Sequence, residues 1–287
     1  MIFTVTLNPS LDYIMRVGGI SEGAVNRSVG EKIVAGGKGI NVSRVLARLG
    51  SDNVALGFTA GFTGAQIIRE LDGVCATDFV ELSEGNSRIN VKLKGAAEPN
   101  IETDINADGP KITGRDFERL FAKFQGLRDG DALILAGSAP RSAGADIYAR
   151  ILEPLSDKKI FTIVDASGDL LASALARRPF LIKPNLAELE ELCGSRFEDV
   201  EAIIKGAETA RARGARNVLV SMDRRGALLV SERGIFIEPV EAVQAANTTG
   251  AGDALVAGFA AAYLKSGDFQ VALKAGVETA RSQLSAE

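Results

Sequence analysis

The sequence contains no histidine among its 287 residues. This absence excludes Ser-His-Asp and Cys-His nucleophilic catalysis, most zinc sites and phosphotransfer through histidine. Any acid–base chemistry must therefore use carboxylates, lysine, arginine, tyrosine, cysteine or backbone dipoles.

Cysteine, surplus charge and long apolar runs are scarce as well. The two cysteines, Cys75 and Cys193, are too few for a disulfide framework and fit a reducing cytoplasm. A net charge of −4, from 33 basic and 37 acidic residues, provides no bulk field for nucleic acid. An apolar run of about 18 residues is lacking, and so is a basic region followed by an apolar stretch at the N-terminus. We therefore expect a cytoplasmic protein that contacts neither membrane nor nucleic acid.

The residues that are present predict one doubly wound α/β domain over 1–287. With 46% hydrophobic and 24% charged residues, the chain can bury one large core. From about residue 116 onward, short apolar runs such as 132–135 and 160–164 alternate with helical patterns. Such runs are typical of parallel strands covered on both faces, so we expect a mostly parallel sheet with helices on both sides.

Two stretches depart from this rhythm, at about 12–34 and 87–105. Their residues alternate between polar and apolar, which predicts half-exposed strands. We expect the strand-like runs between 77 and 105 to be antiparallel. The two stretches are predicted to form a small sheet over the carboxyl ends of the parallel strands, where such folds bind ligands.

The sequence Asn-Thr-Thr-Gly-Ala-Gly-Asp at 247–253, ahead of an apolar helix, is the strongest chemical motif. The amides of Gly250, Ala251 and Gly252 can point at one spot at the positive end of the helix dipole, forming an anion hole for a transferring phosphoryl group. Asp253, in the first helical turn, could accept a proton from an attacking hydroxyl. A plainer interpretation is a capped helix behind a glycine turn.

Two further motifs suit a small polyhydroxyl ligand. In Ala-Gly-Gly-Lys-Gly-Ile-Asn at 35–41, glycines would let the ligand approach the backbone, and Asn41 offers donors and an acceptor. This is not a P-loop, because Gly39 stands where serine or threonine must follow the lysine. Asp12 follows the first strand and could bind vicinal sugar hydroxyls. An ordinary glycine-rich turn and an Asn-Pro turn are the alternatives.

Two other segments carry groups suited to phosphate and metal. Arg88, Asn90 and Lys92 share one face of a predicted strand, and arginine binds phosphate in bidentate fashion. A solvated polar face is the alternative. Asn185 and Glu188 lie three residues apart and could face Mg²⁺ across the first turn of a helix. A capping box explains the same pair equally well.

Taken in order, these segments resemble the ribokinase-like (PfkB) family of carbohydrate kinases over nearly the whole chain. The resemblance rests on the segments TLNPSLD, VNR, AGGKGINVSRVLARLG, SRINVK, TDIN, FLIKPNLAELEEL, VLVSMDRRGALL and NTTGAGD. Within the family, TLNP, GGKGINVSRVL and RINVK are most similar to the branch of 1-phosphofructokinases and tagatose-6-phosphate kinases.

The resemblance implies ATP- and Mg²⁺-dependent phosphorylation of a ketohexose phosphate, with fructose 1-phosphate converted to fructose 1,6-bisphosphate as the first expectation. It also implies that the small sheet is a lid that closes the site and makes a homodimer contact. For the chemical step, the resemblance implies that Asp253 is the base, that Gly250 to Gly252 form the anion hole and that Arg27 reaches between the two phosphates. For the substrate, it implies that the sugar is bound by Asp12, Gly37, Asn41 and Ser138, and its phosphate by Arg88 with Asn90 and Lys38. For the nucleotide and the metal, it implies contacts from Lys183, Asn185, Ser221, Gly226, Gly250 and Gly252, with Asn185 and Glu188 near Mg²⁺ through water.

Other functions stay open at this point. The chain has Gly-Ser-Ala-Pro-Arg at 137–141, where the relatives usually have Gly-Ser-Leu-Pro-Pro-Gly, and Arg141 could add a phosphate contact. A tagatose-6-phosphate kinase or another sugar-phosphate kinase is the near alternative, because only the position of the existing phosphate and the stereochemistry of one hydroxyl separate these substrates. A non-catalytic sugar-phosphate sensor is the remote one, and the intact Asp253 and Gly-Ala-Gly argue against it.

Overall fold

A computed structural model describes residues 1–95, 102–240 and 250–285. The strands are β1 Ile2–Thr6, β2 Ser10–Val17, β3 Ser28–Gly36, β4 Asn53–Ala60, β5 Ala76–Leu82, β6 Arg88–Gly95, β7 Glu102–Asn106, β8 Ala132–Ala136, β9 Phe161–Asp165, β10 Leu181–Ile182, β11 Asn217–Ser221, β12 Ala227–Ser231 and β13 Gly234–Glu238. The helices are α1 Lys38–Arg48, α2 Gly61–Leu71, α3 Gly114–Phe124, α4 Ile147–Leu152, α5 Gly168–Leu175, α6 Leu186–Cys193, α7 Val200–Ala212, α8 Ala251–Ser266 and α9 Phe269–Ser285.

Nine strands form the main sheet, in the order β13-β12-β11-β10-β9-β8-β1-β4-β5. The pairs from β11 to β5 are parallel, and β12 and β13 add an antiparallel edge. The parallel strands are short and almost wholly buried, as in β8, where all five residues are inaccessible. This arrangement confirms the predicted doubly wound α/β fold.

Helices cover both faces of the main sheet. Apolar side chains of α1, α8 and α9 pack on one face, where Leu46, Phe259 and Leu273 are buried. Side chains of α3, α4, α5, α6 and α7 pack on the other, where Leu120 and Ile203 are buried. The parallel strands therefore leave their carboxyl ends, and not their faces, available to ligands.

The remaining four strands form a second sheet in the order β3-β2-β6-β7, called the small sheet below. Its base is anchored to the body, because Leu11 and Ala35 belong to one apolar cluster with Ile67 and Leu71 of α2. Farther out it is far more exposed, and all five residues of β7 are accessible. The small sheet stands over the carboxyl ends of the parallel strands, as predicted.

Two details of strand pairing differ from the prediction. The run 79–82 lies in β5, which pairs parallel to β4 at the edge of the main sheet, so the antiparallel prediction was wrong there. Its alternation reflects a strand covered on one face only. Within the small sheet, β2 and β6 are also parallel, since the chain returns through α1, β4, α2 and β5 between them. Only the outer pairs, β2 with β3 and β6 with β7, are antiparallel.

Within these residues, no helix is both long and apolar enough to cross a membrane. Both cysteines are free thiols.

Candidate active site

A cleft of about 1280 Å³ lies between the carboxyl ends of the parallel strands and the small sheet. It exceeds a typical pocket for one small molecule, so two ligands can share it. Almost all residues singled out in the sequence line this cleft: Asp12, Gly37, Lys38, Asn41, Arg88, Asn90, Lys92, Ser138, Lys183, Asn185, Glu188, Ser221, Gly226, Gly250, Ala251, Gly252 and Asp253. Arg27 and Arg141 are the exceptions. Arg27 is exposed in the segment before β3, Arg141 is exposed and pairs with Asp108 at 3.3 Å, and neither lines the cleft.

The floor of the cleft includes the beginning of α8. Gly250 has a φ of +83°, a left-handed conformation that glycine adopts without strain, and it turns the chain into the helix. The first amides of a helix have no carbonyl partner within the helix, so they are available to an anion. The preceding residues of the motif, 247–249, lie outside the described residues.

Asp253 is buried in the first turn of α8, with 6% of its surface exposed. The side-chain amide of Asn41 donates a hydrogen bond to its Oδ2 at 2.8 Å. Burial, assisted by the nearby charge of Asp165, raises the pKa of Asp253 to about 7, although Asn41, Lys38 and Lys183 act in the opposite direction. A carboxylate with this pKa is well matched to proton transfer at neutral pH.

Asp165, which sequence reasoning missed, occupies the centre of the floor. It is the last residue of β9 and is fully buried. Its Oδ1 accepts from the ammonium of Lys38 at 2.9 Å and lies 3.3 Å from that of Lys183. The available signal was its position at the end of the apolar run 160–164, comparable to the position of Asp12 after the first strand.

Asp12 is held from two sides on the small sheet. The hydroxyl of Ser10 donates to its Oδ1 at 2.7 Å, and the Asn90 side-chain amide donates to the same atom at 3.0 Å. A Cβ on Gly36 would lie 2.7 Å from Asp12 Oδ2, so glycine at this position leaves room for the carboxylate. The adjacent Oδ1 of Asn90 is buried and has no hydrogen-bond partner within the described residues.

Arg88 begins the next strand of the small sheet and is half-buried. Its Nε donates to the carbonyl oxygen of Asn8 at 3.1 Å, and its Nη1 donates to that of Ala107 at 3.5 Å. Burial lowers its pKa while Asp12 opposes that shift, but a guanidinium stays charged in either case. Lys92, on the same face, is paired with Asp104 at 2.8 Å.

The opposite end of the cleft is formed by loops that follow β10 and β11. Asn185 and Glu188 form a reciprocal capping box at the start of α6, with both hydrogen bonds at 2.8 Å. The capping interpretation is therefore correct, and it uses one oxygen of each side chain. Gly226 has a φ of +89°, and a Cβ there would lie 2.1 Å from the carbonyl oxygen of Glu238, so the close turn requires glycine.

Comparison with known proteins agrees with this geometry. The profile of the pfkB family carbohydrate kinases matches residues 5–286. A 1-phosphofructokinase of Bacillus subtilis is 41% identical over 280 residues, covering 96% of this chain and 90% of the relative. A D-tagatose-1-phosphate kinase of Bacillus licheniformis is 36% identical, covering 90% of this chain and 82% of the relative. The crystal structure of phosphofructokinase-2 from Escherichia coli in complex with fructose-6-phosphate superposes with a TM-score of 0.92 at 25% identity, covering 99% of this chain and 94% of the other.

Proposed function

The chain belongs to the pfkB family of carbohydrate kinases, and on that premise we propose that it transfers the γ-phosphoryl group of ATP to a hydroxyl of a ketohexose phosphate. The first candidate substrate is fructose 1-phosphate, and the product is then fructose 1,6-bisphosphate. The observation that carries the proposal is the meeting, in one cleft, of Asp253 and the start of α8 with Asp12 and Arg88 of the small sheet.

The proposed reaction needs positioning and charge stabilisation rather than covalent catalysis. The substrate hydroxyl oxygen forms a bond to the γ-phosphorus while the bond to the β–γ bridging oxygen breaks and ADP leaves. The hydroxyl proton passes to Asp253, whose raised pKa suits an acceptor. The amides from Gly250 to Gly252 stabilise the charge on the transferring group.

Sugar recognition is assigned to the small sheet. Asp12, held by the Asn90 amide, is placed to bind hydroxyls, and Asn41 lines the same cleft while it donates a hydrogen bond to Asp253. Arg88 supplies the cation for the phosphate that the substrate already carries. Gly37 and Ser138 also line the cleft.

The nucleotide is assigned to the opposite end, beside Lys183, Ser221 and Gly226. Mg²⁺ requires oxygen ligands and keeps several waters, so the capping box does not conflict with it. The Oε1 of Glu188 carries no hydrogen bond within the described residues and Glu188 lines the cleft, which fits a water-mediated contact. When bound with the nucleotide, the ion neutralises charge on the β- and γ-phosphates.

A tagatose phosphate is the second candidate substrate, because a relative that covers most of the chain is a D-tagatose-1-phosphate kinase.

Steady-state assays with ATP, Mg²⁺ and a panel of fructose and tagatose 1- and 6-phosphates, with free fructose as control, test both candidates. We expect the highest kcat/KM with fructose 1-phosphate. Tight binding without turnover of any sugar phosphate would support the sensor and contradict the proposal.

We also propose that the small sheet acts as a lid and pairs two copies of the chain. Ile33, Tyr13, Val91 and Ile105 face each other across its four strands on the side away from the cleft. Ile33 is 54% exposed and Ile105 58%, an apolar row that a monomer leaves in water. This pattern supports a homodimer through the small sheet.

Sedimentation velocity tests the dimer. The wild type is expected to sediment as a dimer at micromolar concentration, and Ile33→Lys with Ile105→Lys should convert it to a monomer. Ile237→Lys is the matched control, because Ile237 is 49% exposed on the main-sheet edge strand β13. A monomeric and fully active wild type would rule out this assembly.

A further inference from the structure

Two ammonium groups converge on one buried carboxylate oxygen at the floor of the cleft. The Nζ of Lys38, from the start of α1, lies 2.9 Å from Asp165 Oδ1, and the Nζ of Lys183 lies 3.3 Å from the same atom. Asp165 is 0% exposed and Lys183 4%. The Oδ2 of Asp165 is buried and has no hydrogen-bond partner within the described residues.

This arrangement costs stability, which indicates a role other than holding the fold together. A buried ion pair rarely stabilises a protein more than apolar side chains of similar volume would. A buried oxygen without a hydrogen bond adds a further penalty. Asp165 also raises the pKa of Asp253, so its charge is felt at the proposed base.

The position of the two ammonium groups points to the transferring phosphoryl group. Lys183 lies next to the start of α8, since a Cβ on Gly252 would be 3.4 Å from its Nζ. Lys38 shares a carboxylate oxygen with Lys183, so its charge lies on the same floor. Arg88 contacts the carbonyl oxygens of Asn8 and Ala107 instead. The sequence resemblance grouped Lys38 with Arg88, whereas the structure groups it with Asp165.

We propose that Asp165 is a positioning residue for phosphoryl transfer, holding Lys38 and Lys183 so that Lys38 acts on the γ-phosphoryl group rather than on the phosphate of the sugar. The inference rests on the proposed kinase function and deepens it. In the free protein, Asp165 offsets the two positive charges. When the nucleotide enters, both lysines are already aimed at the place where negative charge is redistributed, so little reorganisation is needed.

The first experiment is Asp165→Asn, which keeps the shape of the side chain and removes its charge. We expect kcat to fall about 10- to 100-fold, because the lysines lose their fixed direction. The KM for ATP should stay equal or decrease, because a negative charge has left the site. Asp131→Asn is the matched control, since Asp131 pairs with the N-terminal ammonium at 2.9 Å just before β8, at the amino end of the strand. An unchanged kcat, or a raised KM with unchanged kcat, would overturn the proposal.

A binding measurement distinguishes the two possible positions of Lys38 without turnover. Calorimetry compares ADP with the β,γ-imido analogue of ATP in wild type and Lys38→Met. We expect Lys38→Met to weaken binding of the analogue at least tenfold more than it weakens binding of ADP. Equal weakening of both, together with weaker calorimetric binding of the sugar phosphate, would place Lys38 on the sugar phosphate and refute this assignment.

The pH profile gives a readout that structural damage would not produce. The charged or polar groups around Asp253 are Asp165 from β9, Lys38 and Asn41 from α1, and Lys183 after β10. Removing the charge of Asp165 lowers the pKa of Asp253, so the acid limb of kcat/KM should move to lower pH in Asp165→Asn. A limb that does not move contradicts the proposal.

All kinetic comparisons use the sugar that the wild type turns over fastest. If that sugar is not a ketohexose phosphate, the proposed function fails while the comparison of variants still stands. If the wild type turns over no sugar, calorimetry alone decides the position of Lys38.

Discussion

The two walls of the cleft use similar ion pairs in very different surroundings. On the floor, Lys38 and Asp165 lie 2.9 Å apart and the carboxylate is completely buried. On the small sheet, Lys92 and Asp104 lie 2.8 Å apart, but the Asp104 side chain is 39% exposed. Water screens the second pair, so its contribution is small. The ion pair on the floor is therefore fixed and only weakly screened, whereas the pair on the small sheet is solvated and can exchange its partners for groups of a ligand.

The largest effect is expected from the floor, in Asp253→Asn. This variant keeps the size of the side chain but cannot accept the hydroxyl proton, so kcat should fall about 10²- to 10⁴-fold. The thermal midpoint should rise at pH 8, because the raised pKa means that the native protein carries a costly buried charge there. That gain should shrink as the pH falls toward 4, where Asp253 is protonated in the native wild type.

Asp199→Asn is the control for this variant, because it alters the N-cap of α7 outside the cleft. Steady-state assays measure kcat, and thermal denaturation measures the thermal midpoint. A variant that retains more than about a tenth of wild-type kcat would show that positioning alone carries the step.

The pH dependence is expected to be the next largest effect. With the pKa of Asp253 at about 7, the active carboxylate form exists above that pH and is lost below it. The kcat/KM for the sugar, which reports the free enzyme, should therefore fall about 50-fold between pH 7 and pH 5. A flat profile over that range would mean that Asp253 is not the titrating base.

A smaller effect is expected on the small sheet, in Arg88→Ala. The kcat/KM for the phosphorylated sugar should fall about 10- to 100-fold, because a charge-assisted contact to phosphate is lost. Free sugar should be affected less than threefold. Arg88→Lys should restore part of the activity, and Arg119→Ala, an exposed change on α3, is the control. Equal losses of kcat/KM with both sugars would show that Arg88 does not recognise the phosphate.

The smallest effect is expected in Ser10→Ala. The Ser10 hydroxyl orients Asp12, and one such hydrogen bond contributes about 1 kcal/mol, so the KM for the sugar should rise a few-fold with little change in kcat. Ser28→Ala is the matched control, because Ser28 bonds to Glu31 on the exposed part of the same sheet. A fall in kcat without a change in KM would instead connect Ser10 to the chemistry of the floor.

Much of this arrangement could be predicted from the sequence, because its signals are local. The apolar runs located the parallel strands, and glycine positions such as Gly250 marked turns with a positive φ that other residues adopt only at a cost. Residues that follow strand ends, such as Asp12, line the cleft because the carboxyl ends of parallel strands lie at the same edge of the sheet. What the sequence left out were relationships between distant segments.

Asp165 illustrates what was missed. Its partners Lys38 and Lys183 come from α1 and from the loop after β10, so no local pattern joins them. The parallel pairing of β2 with β6 was missed for the same reason, since alternation shows that a strand is half-exposed but not which strand lies beside it. The role of Arg27 stays a prediction, because the structure places it outside the cleft.

The parallel pairing of β2 with β6 also has a consequence for how the protein folds. The chain between Val17 and Arg88 contains two helices and two strands of the main sheet, so β2 and β6 meet only after that region has been placed. Contacts between distant segments require loop closure before they contribute. We therefore expect the small sheet to be the last element to form and the first to open, with amides that exchange with solvent faster than those of β8 and β9. Within the described residues, the wall that we propose to bind the sugar is then also expected to be the least stable part, and ligand binding there should slow its local opening.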